Sequence, residues 1–293
     1  MNQLETLTQI NLDDLVVSFG WQYRPILSRT LRRLFHYAAR RFAEVMIEFD
    51  NRVGECGLAE AARLSQSKYV RDVRVFGLDL IPDSAFLALS NHPGMTDTLA
   101  LFASLDRADL KIIALDRPFL RCLPNISRQL FYVQDEAAAR MGLVRQVSSH
   151  LRAGGTVLTF PAGHIEPDPD VYPGAVDSLQ SWTDSTGVFI RMSPATPVLP
   201  IVIRGVVWEK TAHHPLLILK KTRKDKENLA AAFQFLAQVT LQLRPIVVRV
   251  QIGQPIYPKD LGTTDTTVIH QAVLMEMKRL LECPPEGEGT SVL

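Results

Sequence analysis

Cysteine is scarce in this sequence: three occur in 293 residues, and Cys56, Cys122 and Cys283 stand far apart with no C-x-x-C spacing. That excludes a disulfide framework and a cysteine zinc site, and it fits a reducing compartment. An excess of one charge is missing too. Thirty-two Lys and Arg stand against 31 Asp and Glu, a net charge of +1, so no global field draws the chain to nucleic acid. Long apolar runs are absent. The longest uncharged stretch, Asn228 to Leu243, includes Gln234, Gln238, Thr240 and Gln242, and it falls short of the ~20 apolar residues of a spanning helix. The first residues carry Glu5, Asp13 and Asp14 and no basic group, unlike a secretory signal, so the expected location is the cytoplasm. No G-x-S-x-G elbow, Gly-Lys dipeptide or G-x-G-x-x-G fingerprint occurs, which removes the usual serine-hydrolase, nucleotide-triphosphatase and dinucleotide readings.

One absence is local. From Leu15 to Ala43 there is no acidic residue, while Arg24, Arg29, Arg32, Arg33, Arg40 and Arg41 are interleaved with six aromatic residues, Phe19 and Phe42 among them. Leu31, Phe35, Ala38, Phe42, Val45 and Phe49 recur at helical spacing, and Arg29, Arg33, His36 and Arg40 take another face. Such an amphipathic helix either packs on a core or lies in the interface of an anionic membrane, and the missing acids favour the membrane.

What the chain does have is 46% hydrophobic residues, enough for one large α/β domain or two small ones. Short apolar runs near 73–76, 85–90, 111–115, 130–133, 156–160, 198–204, 216–220 and 246–252 predict strands. Helical patterns at 96–105, 137–153, 226–243 and 267–281 fall between them, an alternation that argues for an α/β sheet with helices on its faces. The expected division is a helical, possible membrane-associating segment over 1–60, an α/β domain over 61–283 and a flexible tail over 284–293.

Polar residues gather where the strand ending at Ser90 meets a helix, in Asn91-His92-Pro93-Gly94-Met95-Thr96-Asp97. Open α/β sheets place ligands at the carboxyl ends of strands, beside helix amino termini. If Pro93-Gly94 turns, His92 ends the strand and Asp97 enters the first helical turn, so the carboxylate can fold back onto the imidazole. A histidine held in one tautomer by a carboxylate is equipped as a general base for a hydroxyl. The plain alternative is a helix-capping Asp97 beside a loop histidine.

This block resembles the first motif of the glycerolipid and lysophospholipid acyltransferases typified by 1-acylglycerol-3-phosphate acyltransferase. Three further blocks follow the family's order: Val75 to Leu80 before the histidine, Phe160-Pro161-Ala162-Gly163, which is similar to a Phe-Pro-Glu-Gly block, and Pro197 to Ile203, which resembles a late Val-Pro-Val block. The resemblance covers about 73–205. It implies a single mixed sheet flanked by helices with an N-terminal amphipathic helical segment. It implies transfer of a fatty acyl group from an acyl-CoA or acyl-carrier-protein thioester to a lipid hydroxyl, with no cofactor and no metal. His92 would be the base, Asp97 its orienting partner, and the N–H groups after Pro93 oxyanion donors. Asn91, Gly94, Phe160, Pro161, Gly163 and His164 would line the substrate site, and the protein would sit peripherally on an anionic membrane surface. The alternatives are a lipid-binding or scaffolding homologue without acyl transfer and an acyl-thioester hydrolase.

The sequence departs from the family at the third block, where Ala162, His164 and Ile165 replace the Glu, Thr and Arg of Glu-Gly-Thr-Arg. The missing arginine is the family's contact to the acceptor phosphate. Either Arg117, Arg121 or Arg128 supplies that charge or the acceptor is another hydroxyl-bearing lipid. The stretch His164 to Asp170 reads as a solvated proline-rich loop, or as a site for a metal or a cationic head group. A second basic cluster, Lys220, Lys221, Arg223, Lys224 and Lys226, reads as a solvated turn or a contact for anionic lipid or carrier protein.

Overall fold

The computed structural model describes residues 2–18, 20–134, 136–219 and 223–293. Two helices open the chain, α1 (Gln3–Ser18) and α2 (Pro25–Cys56), the second started by Pro25, whose fixed φ suits the first helical turn. Then follow α3 (Leu58–Gln66), β1 (Asp72–Phe76), β2 (Leu87–Ser90), α4 (Met95–Leu105) and β3 (Lys111–Leu115). Two short helices, α5 (Pro118–Arg121) and α6 (Pro124–Ser127), precede β4 (Leu130–Val133), α7 (Ala137–Arg152) and β5 (Val157–Thr159). After α8 (Ala175–Ser178) and α9 (Ser185–Met192) come β6 (Val198–Arg204), α10 (Glu209–Ala212), α11 (Arg223–Leu241), β7 (Val247–Ile252), α12 (Thr266–Glu282) and β8 (Thr290–Ser291).

The strands form one mixed eight-stranded sheet in the order β4-β3-β5-β2-β6-β7-β1-β8. β4, β3, β5, β2 and β6 run parallel, β7 is antiparallel to β6, and β8 is antiparallel to β1. The parallel strands β2, β5 and β6 are buried at every residue, as helices on both faces require. Alternate side chains divide between two cores. Ala88, Leu158, Leu199, Ile201 and Ile203 face α2, α3 and α4, whereas Leu87, Leu89, Val157 and Val202 face α7, α9 and α12. Pro200 sits inside β6 where β7 pairing has not begun; that pairing starts at Ile201, and the next bridge joins Val198 to Ile256. The N–H that proline lacks is therefore not required by that neighbour.

Four expectations change. Leu7 of α1 and Ala43, Phe49 and Val53 of α2 belong to the same core as the sheet, so the first 60 residues are not a separate unit. The apolar stripe of α2 is turned inward: Leu31, Ala38 and Phe49 are buried, Phe42 stacks on Phe119, and Asn11 of α1 bonds the Ala39 carbonyl at 3.1 Å. The end of the chain is not a free tail, because β8 pairs with β1 and Ser291 donates to Asp72 at 2.6 Å. The strand expected at 216–220 is instead a 3-10 turn over Pro215–Leu219. Lys220 and Lys221 of the second basic cluster lie outside the described residues. Among the described residues, no helix is long and apolar enough to cross a membrane.

Candidate active site

β2 is central in the sheet, so the residues following Ser90 emerge in the middle of the rim formed by the carboxyl ends of β3, β5 and β6. Asn91 is 3% exposed, and its amide pairs with Ile203 of β6, donating to the carbonyl at 2.9 Å and accepting from the N–H at 2.8 Å. Its side chain therefore extends the ladder by one side-chain rung and anchors the loop. The expectation of a substrate contact gives way to this tie, because the amide faces the neighbouring strand.

His92 and Asp97 are brought together. His92 Nδ1 lies 2.8 Å from Asp97 Oδ2, and the carboxylate is fully buried in the first turn of α4. The same Oδ2 accepts the Gly94 N–H at 2.9 Å, while Oδ1 accepts the Thr98 hydroxyl at 3.0 Å and the Thr98 N–H. Asp97 thus both caps α4 and holds the imidazole, so the two readings of this residue are one structure. Gly94 spends its N–H on Asp97, which removes that group from the candidate oxyanion donors. With Nδ1 donating, Nε2 is left as the acceptor, and it has no hydrogen-bond partner among the described residues. The His92 side chain is 26% exposed, and its ring leans on Phe160 at 4.6 Å between centroids. Phe160 is there because β5 pairs with β2 in parallel, Thr159 opposite Leu89, so the residues beyond each strand meet on the rim. Burial, the largest influence, lowers the imidazole's pKa, but the charge and hydrogen bond of Asp97 and the charge of Glu166 outweigh it and leave it raised.

The segment His164 to Asp170 is not a solvated connection. Glu166 is 3% exposed; its N–H donates to the His92 carbonyl at 2.9 Å, and its Oε2 accepts the His92 N–H at 3.1 Å. Its Oε1 accepts from the Trp182 indole at 2.8 Å and from Ser178 at 2.9 Å, yet burial still pushes the carboxyl's pKa up. Asp168, fully buried, accepts the N–H groups of Gly205, Val206 and Val207 at 2.7–3.0 Å, where β6 ends. Asp170 pairs with Arg249 and lies 3.5 Å from Arg204. The carboxylates of this segment are therefore consumed by the chain itself. Among the described residues, no group of three or more His, Cys, Asp or Glu is placed to hold a metal.

The remaining expected site residues divide. Pro161 is buried and its carbonyl accepts from Thr183 at 3.2 Å; Gly163 closes a turn with φ +67. His164 is exposed, its Nδ1 2.7 Å from the Ala162 carbonyl. Arg128 precedes β4 and its carbonyl accepts from Lys111, the first residue of β3, so it lies at the opposite end of the sheet from His92. Arg121 is on the His92 rim but is engaged with both oxygens of Asp116 at 2.8 Å and rests on the Tyr132 ring. Arg117, also on that rim, is exposed and its guanidinium has no partner among the described residues. It lines a cleft of about 580 Å³ between α1 and the ends of β3 and β4, with Ile10, Leu115, Phe119 and Val133 among its walls. His92 does not line that cleft; β3 is two strands away from β2, roughly 10 Å along the sheet.

Sequence reasoning missed Glu166, Ser178, Trp182 and Asp168 as partners of the site. The signal for the first was present, a carboxylate six residues after Phe160 in the segment that departs from the family pattern. No protein-family model and no curated protein matches this chain. Among solved structures it is similar to the 1-acyl-sn-glycerophosphate (LPA) acyltransferase PlsC from Thermotoga maritima, with 19% identity over 94% of this chain and 93% of that one and a TM-score of 0.45.

Proposed function

We propose that this protein is an O-acyltransferase that moves a fatty acyl group from an acyl-CoA or acyl-carrier-protein thioester to a hydroxyl of a glycerolipid or lysophospholipid. The observation that carries this reading is the 2.8 Å contact of His92 Nδ1 with buried Asp97, which leaves Nε2 as a base at the rim. Nε2 takes the hydroxyl proton as the oxygen attacks the thioester carbonyl. Asp97 stabilises the imidazolium so formed. The tetrahedral intermediate collapses with loss of the thiolate, which takes the proton back from His92, leaving an ester, a free thiol and the neutral imidazole. Arg117, on the rim and with no partner to its guanidinium among the described residues, is our assignment for a phosphate on the acceptor.

Purified protein incubated with labelled acyl thioesters and a total lipid extract, followed by mass identification of the species that gains a chain, tests this reading. His92→Ala should lower transfer by about 10²- to 10⁴-fold with the fold intact. Thioester loss without acylated lipid would make the protein a hydrolase. Lipid binding without thioester loss would make it a binding homologue.

Peripheral membrane contact is the second part of the reading, and its basis moves to a different face of α2. Ile26, Leu34 and Tyr37 are 79%, 73% and 61% exposed. At about 100° per residue they lie within ~80° of one another, flanked by Arg29, Arg33 and Arg40. Exposed apolar and basic groups side by side suit an anionic bilayer interface. Vesicle flotation should require anionic lipid and weaken with salt, and Ile26→Ser with Leu34→Ser should reduce it; equal flotation of that variant refutes the assignment.

A further inference from the structure

We propose that Glu166 is a positioning residue for His92: it clamps the histidine backbone from both sides and sets an unneutralised carboxylate beside the imidazole. The inference rests on the reading of His92 as general base. The ladder of β2 with its neighbours ends at Ser90, so the N–H and carbonyl of His92 have no strand partner. Glu166 supplies both, its carboxylate accepting the one at 3.1 Å and its N–H donating to the other at 2.9 Å. A backbone pinned at two points and a side chain pinned at Asp97 leave the imidazole little freedom to leave the rim. That restriction is what a base needs to meet a hydroxyl at hydrogen-bonding distance.

The chemistry of the contact explains why an acid stands there. Every group that meets the Glu166 carboxylate is neutral: the His92 N–H and the Trp182 indole donate to it, and the Ser178 hydroxyl, 2.9 Å away, has its single proton between Oε1 and the Ala175 carbonyl at 2.7 Å. The two N–H groups meet different oxygens, so a carboxylate accepts from both, whereas an amide would turn its own donor toward one of them. Neutral donors solvate the charge without cancelling it, and no Lys or Arg pairs with Glu166 among the described residues. The charged and titratable groups around the imidazole are Asp97 on α4 and Glu166 after β5; His164 acts on Glu166 from the same loop. Both carboxylates therefore favour the protonated ring, Asp97 by direct contact and Glu166 through the field of a buried charge.

The test is the titration of the His92 ring followed by NMR on the whole protein, its signal identified as the one lost in His92→Gln. It is run alongside the pH profile of kcat/KM. In Glu166→Gln the His92 pKa should fall by about one unit, the acid limb of kcat/KM should move to lower pH by the same amount, and kcat should drop about tenfold with KM nearly unchanged. Glu166→Asp keeps the charge but is too short for the clamp; it should lose kcat while the His92 pKa stays high. Should Glu166→Gln fail to fold, Glu166→Asp carries the test: its kcat must fall while the His92 titration stays where the wild type has it. An unmoved His92 titration in folded Glu166→Gln, or a folded Glu166→Asp with wild-type kcat, overturns the proposal. Because the titration needs no substrate, a wild-type protein that transfers no acyl group would sink the acyltransferase reading and leave this result standing on its own.

Discussion

Replacing Asp97 with Asn separates the charge of the carboxylate from its shape, and the geometry fixes what must happen. All four contacts of the side chain are donors: the His92 ring and the Gly94 N–H on Oδ2, the Thr98 N–H and hydroxyl on Oδ1. An asparagine can accept on one side only. If its oxygen takes the Oδ2 place, its amino group meets the Thr98 N–H. If the amino group takes that place, it meets the Gly94 N–H and donates to Nδ1, which puts the ring proton on Nε2 and abolishes the base. Either way one buried donor is left unpaired, at about 1–3 kcal/mol of stability, and the imidazolium formed during reaction loses its counter-charge. The loss of kcat should be about 10²- to 10⁴-fold. The pH dependence has a definite sign. The neutral imidazole is the active form, so activity falls as pH drops through its pKa, which Asp97 and Glu166 hold above the ordinary 6.5 against burial. Without the charge at residue 97 that pKa descends and the acid limb of kcat/KM moves to lower pH. Steady-state rates across pH 5 to 9, with urea melts as a fold control, measure both effects. A variant that folds and keeps its kcat, or one whose acid limb moves upward, would refute the base assignment.

Two further outcomes follow from placement. Arg128→Gln should leave transfer and its KM values unchanged in the acyl-thioester assay, because the residue lies at the far end of the sheet from His92; a loss above about threefold would contradict the placement. Gly205→Ala should destabilise the protein by about 1–3 kcal/mol in urea melts. The residue has φ +72, an added Cβ would stand 2.6 Å from the Val247 carbonyl oxygen, and its N–H is one of those Asp168 holds.

Strands and helices with strong periodicity are legible in the sequence. The runs 111–115, 130–133 and 198–204 are strands with those same limits, since β-branched and apolar residues bounded by turn formers leave little choice. The stretch 216–220 misled for the opposite reason. Pro215 opens a 3-10 turn, and the Leu217 N–H is spent locally on the His214 carbonyl at 2.9 Å instead of on a strand. β8 was invisible because two residues, Thr290 and Ser291, make a strand only where β1 offers an open edge. The amphipathic pattern of α2 was read correctly as a helix, but a sequence cannot say which of two partners covers an apolar stripe. α1 covers part of this one, as the bond from Asn11 to Ala39 marks.

The site shows the same limit at closer range. His92 and Asp97 are five residues apart, and a turn between them is enough to bring them together, so local chemistry exposed the pair. Glu166 is 74 residues from His92, and its contact depends on β5 lying beside β2, a register no local pattern encodes. Its loop looked solvated because proline and acids usually face water. Burial of those acids is affordable here because the rim of a parallel sheet is rich in unpaired backbone donors. The strands end together at Ser90, Thr159 and Arg204, and their N–H groups need acceptors that the ladder no longer supplies. Glu166 serves the His92 N–H and Asp168 serves those of Gly205 to Val207. An acidic loop crossing the carboxyl end of such a sheet is thus as much a cap on the strands as a part of the chemistry.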